Sequence, residues 1–78
     1  MNAEELLQLN RAQPFEPYRI HLSDGTYHDV VHPEFILVGT RACHIGIPDS
    51  ENPQLTSRVI RISTLHITSV IPLSHINA

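Results

Sequence analysis

The stretch that decides the fold is residues 18–31, YRIHLSDGTYHDVV, in which two alternating segments flank a Ser-Asp-Gly turn. Tyr18–Leu22 alternates apolar and polar side chains, a pattern that is typical of a β-strand buried on one face. Residues 26–31 supply the return strand, and the turn residues between the two segments favour a tight connection. The stretch therefore predicts a β-hairpin.

Two registers are possible for this hairpin. A two-residue loop would place His21 opposite His28, whereas a three-residue loop with a left-handed Gly25 would place Arg19 opposite Asp29. We prefer the three-residue loop because it pairs opposite charges across the strands.

The segment before the hairpin predicts a short helix over residues 3–12. Asn2 is a favourable N-cap, and Glu5 three residues later completes a pattern like a capping box. Pro14 ends the helix because the residue before a proline disfavours helical backbone. A helix this short is marginally stable alone, so we expect its leucines to dock on the rest of the chain.

Extended segments also follow the hairpin. His32-Pro33 interrupts the sheet, because proline cannot donate a hydrogen bond to a central ladder. Further strands include Phe35–Val38, Ala42–Ile47, Arg58–Ile62 and Ile67–Ile71. The order predicts a mainly β fold with one N-terminal helix: a small five-stranded antiparallel barrel, SH3-like or Sm-like, with strands over 18–71 and a tail over 72–78.

Length and composition restrict the class of protein. The 78 residues, 41% hydrophobic and 17% charged, have room for one domain over 1–78 with one small core and no deep catalytic cleft. No apolar run approaches the length of about 20 residues that a membrane span requires, so we expect no membrane partner. The single Cys43 excludes an internal disulfide and is typical of a cytoplasmic protein.

The charge pattern is acidic. The basic residues are five arginines with no lysine, and eight acidic residues give a formal net charge of −3. That balance argues against a protein held on nucleic acid by a broad basic patch, but it leaves room for a few well-placed arginines.

Two resemblances to known families are carried by particular segments. The run PFEPYRIHLSDG over residues 14–25, followed by Val30 and by HPEF over 32–35, is similar to a set of small uncharacterised bacterial proteins. The helix, the strand-Asp-Gly-strand hairpin, the segment 33–38 and the segment ITSVIP over 67–72 resemble, in the same order, the bacterial Sm-like Hfq family.

The second resemblance implies a ring that binds uridine-rich RNA through an aromatic stacking residue, a neighbouring amide and a Lys-His pair before the last strand. By position, Phe35 resembles the stacking residue, while Glu34 stands where an amide is expected. The Lys-His pair falls near Thr64 and Leu65, with His66 one position later. Candidate RNA contacts are therefore Phe35, Arg61 and His66. The residue pattern alone favours a second interpretation, in which Phe35 is a core aromatic.

No pattern in the chain predicts catalysis or a cofactor. Cys43 and His44 are neighbours in a predicted strand and point to opposite faces, so we interpret Cys43 as a buried core thiol. The glycines are isolated, and no serine lies in a nucleophile-elbow pattern. The six histidines show no zinc-like spacing, and only His21 and His28 would pair, in the register we do not prefer. We therefore predict a protein that is not an enzyme, with no catalytic residues and no metal.

The leading hypothesis is a binding or assembly module that acts through sheet edges. Open strands bind other strands, and the segments Arg58–Ile62 and Ile67–Ile71 contain neither proline nor lysine to prevent this. The partner would be a second copy of the chain or another protein. The alternative is an Sm-like ring that binds RNA. The candidate edge residues are Arg58, Ile60, Ile62, Ile67 and Ser69.

Overall fold

The computed structural model describes residues 2–76, which form one α-helix and two three-stranded antiparallel sheets. The first sheet has the strand order β2-β1-β6 and the second has the order β3-β4-β5. The elements are α1 (Ala3–Arg11), β1 (Tyr18–Leu22), β2 (Tyr27–Val30), β3 (Ile36–Val38), β4 (Ala42–Pro48), β5 (Thr56–Ser63) and β6 (Ile67–Pro72).

The mainly β class with one N-terminal helix is confirmed, but the five-stranded barrel is wrong. Residues 2–76 contain six strands, and the two sheets do not close into a barrel. The six strands lie at the six extended segments of the sequence, one more than the predicted barrel has, and a 3-10 turn (Pro33–Phe35) separates β2 in one sheet from β3 in the other. Proline has no N–H for a ladder, so the chain leaves one sheet there before it enters the next.

The hairpin has the register that charge pairing predicts. Arg19 lies opposite Asp29. The Arg19 guanidinium donates to both carboxylate oxygens of Asp29, with Nε–Oδ1 and Nη2–Oδ2 distances of 2.7 and 3.1 Å. Gly25 has a φ of 88°, the left-handed conformation that the three-residue loop requires.

Helix α1 begins at the predicted cap. The Asn2 side-chain oxygen accepts a hydrogen bond from the Glu5 backbone N–H at 2.9 Å, and the Asn2 amide donates to the Glu5 carboxylate at 3.2 Å. Leu6 is fully buried and docks the helix on the sheets. The last helical residue is Arg11, with Ala12 as the C-cap.

The core lies between the two sheets and the helix. Cys43 is fully buried, as predicted, and so is Ile45 two residues along the same strand. The core residues are Leu6, Tyr18, Ile20, Val30, Ile36, Cys43, Ile45, Ile62 and Ile67.

Two chain segments differ from their predictions. Phe35 belongs to the 3-10 turn rather than to a strand and is only half-buried, because Pro33 starts that turn. The predicted tail 72–78 begins with Pro72 still in β6, followed by a 3-10 turn (Leu73–His75). Residues 77 and 78 of that tail lie outside the described part of the chain.

Candidate functional site

Strands β5 and β6, which carry the predicted interaction residues, are both edge strands. Arg58, Ile60 and Ile62 lie on β5, and Ile67 and Ser69 lie on β6. Ile62 and Ile67 are buried in the core, whereas Arg58 is exposed. Both strands therefore lie at sheet edges, but the side chains of the candidate residues do not form one surface.

The pairing of β5 with β4 determines which of its backbone groups are free. Ser63 lies opposite Ala42, and the N–H of Thr64 donates to the carbonyl oxygen of Arg41 at 2.9 Å. In an antiparallel ladder this bond makes Ser63–Ala42 a non-hydrogen-bonded pair, and such pairs alternate with hydrogen-bonded pairs. The backbone groups of Ile60 and Ile62 therefore bond to β4.

The alternate residues of β5 have their N–H and C=O groups directed away from β4. These residues are Val59, Arg61 and Ser63, and we call their outward backbone groups the β5 edge. Val59 and Ser63 are not among the residues predicted from the sequence, because only the register with β4 determines which alternate residues of β5 face outward. Val59 is 61% exposed, so it borders this edge with an apolar side chain.

The free edge of β6 is shorter. Leu73 N–H donates to the Pro17 carbonyl at 3.0 Å, and Pro72 lies opposite Tyr18. By the same alternation Ser69 bonds to β1, whereas Val70 and Pro72 face outward. The β6 edge thus ends at a proline, because the strand extends one residue beyond the predicted end at Ile71. Pro72 has no N–H to offer to another strand.

Two of the predicted RNA contacts lie together in a cavity of about 330 Å³ between β5 and the hairpin turn. Arg61 and His66 both line it, together with Asp24 and Ser23. The Ser23 hydroxyl is 3.4 Å from Nδ1 of His66.

The third predicted contact, Phe35, lies elsewhere. Its ring packs edge-on against His32, with 5.7 Å between the ring centroids. Phe35 lines two other cavities, of about 340 and 370 Å³, and Glu34 lines both of them. An anionic carboxylate beside the aromatic ring disfavours a phosphate at that position.

A neighbouring cavity of about 490 Å³ gathers cationic and hydroxyl groups. Arg41 and Arg61 line it with Thr40, Ser63 and Thr64, and with the 91% exposed Leu65, and no acidic residue is part of its wall. Guanidinium and hydroxyl groups are donors that phosphate and carboxylate accept. Arg41 is not among the residues predicted from the sequence, where its only signal is its position just before the β4 segment.

The described residues bring together no cluster of metal-ligating side chains, and the thiol of Cys43 is buried. Within residues 2–76 no group of three or more His, Cys, Asp or Glu side chains could hold a metal ion. His21 lies opposite Tyr27, so the His21–His28 pair of the alternative register does not form. Burial raises the pKa of the Cys43 thiol, while the neighbouring His44 is exposed on the other face of β4.

Among residues 2–76, no helix is both long and apolar enough to span a bilayer.

No family model matches the chain, and no match was found among curated proteins or among solved structures.

Proposed function

We propose that this protein is a non-enzymatic assembly module of the cytoplasm that adds a β-strand, from a second copy of itself or from another protein, to its β5 edge. The observation that carries the proposal is the alternation of β5, which directs the backbone groups of Val59, Arg61 and Ser63 away from β4. Unpaired strand edges bind other strands through main-chain hydrogen bonds.

The β5 edge has only part of the usual protection against such pairing, namely two arginines, Arg58 and Arg61, and a register shift near its N-terminal end. Thr56–Ser63 contains no proline and no lysine, and the strand is eight residues long. Protected edge strands in natural sheets are short, bent or charged, or they contain proline. By this criterion β6, which ends at Pro72, is the weaker candidate.

We further propose that the fold is an open relative of the SH3-like and Sm-like barrels, and that the chain is related to the small bacterial proteins that share its PFxPYxIxLSDG pattern. The element order supports the first part: a helix, a hairpin, a turn at Pro33 and a 3-10 turn (Thr64–His66) before the last strand. The cytoplasmic location is supported by a single cysteine that is buried and free of any disulfide.

A proline at an edge position tests the assembly function. Val59→Pro removes an N–H that faces solvent, whereas Val59→Ala shortens the same side chain and keeps the N–H. We expect wild type and Val59→Ala to associate at micromolar concentration in sedimentation velocity, and Val59→Pro to remain monomeric with an unchanged far-ultraviolet spectrum. A wild-type chain that is monomeric at several hundred micromolar would contradict self-assembly. Ile60→Pro is unsuitable, because the Ile60 N–H bonds to β4.

A second function, RNA binding by an Sm-like ring, is favoured by one observation: Arg41 and Arg61 share a cavity wall with hydroxyl groups, and Arg61 shares another with His66. In this case Arg41→Gln and Arg61→Gln would weaken an electrophoretic shift of uridine-rich RNA, and raising the salt would weaken it further. Arg58→Gln is the matched control, because it removes an exposed arginine from the opposite face of β5. Equal effects of all three substitutions would leave only non-specific charge attraction.

A further inference from the structure

We infer that the strand added to the β5 edge is β5 of a second copy, antiparallel and related by a two-fold axis that passes beside Ile60. This inference rests on the proposed assembly function and names its partner and register. The product is a continuous six-stranded sheet in the order β3-β4-β5-β5-β4-β3.

Hydrogen-bond alternation restricts the register. In the regular part of the ladder with β4, residues 58–63, the outward backbone groups belong to Val59, Arg61 and Ser63, so hydrogen-bonded pairs across the new interface join residues of this set. With the axis beside Ile60, Val59 of one copy pairs with Arg61 of the other, and the same pair forms again on the far side of the axis. If the register shifted by one residue, the outward backbone groups of one copy would lie opposite backbone groups of the other copy that already bond to β4.

The side chains in this register are compatible. Arg61 lies beside the partner's Val59 rather than beside another cation, and Ile60 contacts the partner's Ile60 on the face that continues the core. Apolar and β-branched cross-strand pairs stabilise antiparallel sheets. A shift by two residues in one direction would instead place Arg61 opposite the partner's Arg61, where like charges repel.

Two exposed leucines support the same axis. Leu55 and Leu65 flank β5 and are 60% and 91% exposed, although large apolar side chains are normally covered. Leu55 precedes β5 and Leu65 lies in the 3-10 turn that follows it, so an antiparallel β5–β5 pair brings Leu55 of each copy to the end where the partner's Leu65 lies.

Strand β6 fits the same edge less well. Its outward groups belong to Val70 and Pro72, and Pro72 supplies no N–H. A β5–β6 contact would satisfy fewer outward groups of β5, and it would leave Leu55 without a defined partner.

Disulfide trapping tests the register. In a Cys43→Ala background, Ile60→Cys places two thiols at a non-hydrogen-bonded pair, where the Cα atoms are about 4.5 Å apart and a disulfide can form. Arg58→Cys is the control on the same strand and face. It lies four positions from its copy in the partner, or about 14 Å. Under mild oxidation we expect the Ile60→Cys dimer to form at least ten times faster than the Arg58→Cys dimer.

Hydrogen exchange of the unmodified protein provides a second test that requires no variant. Raising the concentration should protect the Val59 and Arg61 amides and leave the Val70 amide unchanged. Association with equal trapping at both cysteine positions, or with added protection of Val70, would overturn the β5–β5 register and leave edge assembly intact. A chain that stays monomeric, with unprotected Val59 and Arg61 amides at high concentration, would overturn this inference together with self-assembly, and would leave another protein as the partner of the β5 edge.

Discussion

Thr64 and Arg41 are joined by two hydrogen bonds to a single oxygen. The backbone N–H of Thr64 donates to the Arg41 carbonyl at 2.9 Å, and the Thr64 hydroxyl donates to the same atom at 3.1 Å. Thr64 is a buried polar residue, with 7% exposure. These bonds hold the turn after β5 against the turn before β4, and they thereby position Arg41 beside Arg61 in one cavity wall.

Replacing Thr64 by valine should destabilise the fold. Valine keeps the shape of threonine but removes the hydroxyl, so the loss is about 1 kcal/mol of unfolding free energy for one hydrogen bond. Thr68→Val is the matched control. The Thr68 hydroxyl also donates to a carbonyl, that of His21 at 3.2 Å, but it is exposed and water can replace it. Urea unfolding should show a larger loss at Thr64, and equal losses would contradict this account.

Gly25 should tolerate asparagine better than valine. An added Cβ meets no heavy atom within 4 Å, so any penalty comes from the left-handed backbone at φ 88°. Gly25→Val should lower the unfolding free energy by more than about 1 kcal/mol, because β-branched residues rarely adopt this conformation. Gly25→Asn should lower the unfolding free energy by less, since asparagine adopts the left-handed conformation more readily. Equal melting temperatures of the two variants would contradict the turn assignment.

Local features of the fold could be predicted from the sequence. The hairpin register depends on neighbouring residues and on one charge pair, Arg19 with Asp29, so short-range information was sufficient. The helix cap is similarly local, since Asn2 and Glu5 are three residues apart.

The site depends on contacts that are distant along the chain. The free groups of β5 follow from its register with β4, and Arg41 joins Arg61 only because the Thr64 turn packs against it. Neither contact is encoded in the local alternation of residues. For Phe35 the apolar run predicted a strand, but Pro33 imposes a 3-10 turn and leaves the ring half-buried.

Acid should weaken the hairpin turn through Asp24. The hydroxyl and the N–H of Thr26 donate to Asp24 Oδ1 at 2.6 and 2.9 Å, and these bonds lower the pKa of the carboxyl. A lowered folded-state pKa gives stability that is complete above the unfolded value of about 3.9 and is lost as the pH falls through the folded-state value.

The reference for this effect is Asp24→Asn, which keeps an acceptor oxygen but does not titrate. We expect the stability of wild type relative to Asp24→Asn to be constant from pH 7 to 5 and to fall below about pH 4. Urea titrations at each pH measure the difference. A stability difference that does not change with pH would show that ionisation of Asp24 does not stabilise the turn.

The thiol of Cys43 should be unreactive in the native protein and should make stability fall in alkali. Cys43 is fully buried, and burial raises its pKa. A folded-state pKa above the unfolded value of about 8.5 gives stability that is complete below that value and is lost as the pH rises toward the folded-state pKa. Wild type should therefore lose stability relative to Cys43→Ala between pH 7 and 9.5, because the alanine variant has no thiol to titrate.

Modification of wild type by a thiol reagent at pH 8 should be at least ten times slower in buffer than in urea that unfolds the chain, since reaction requires an exposed thiolate. Equal rates in the two solvents would show that the space between the sheets is open to the reagent.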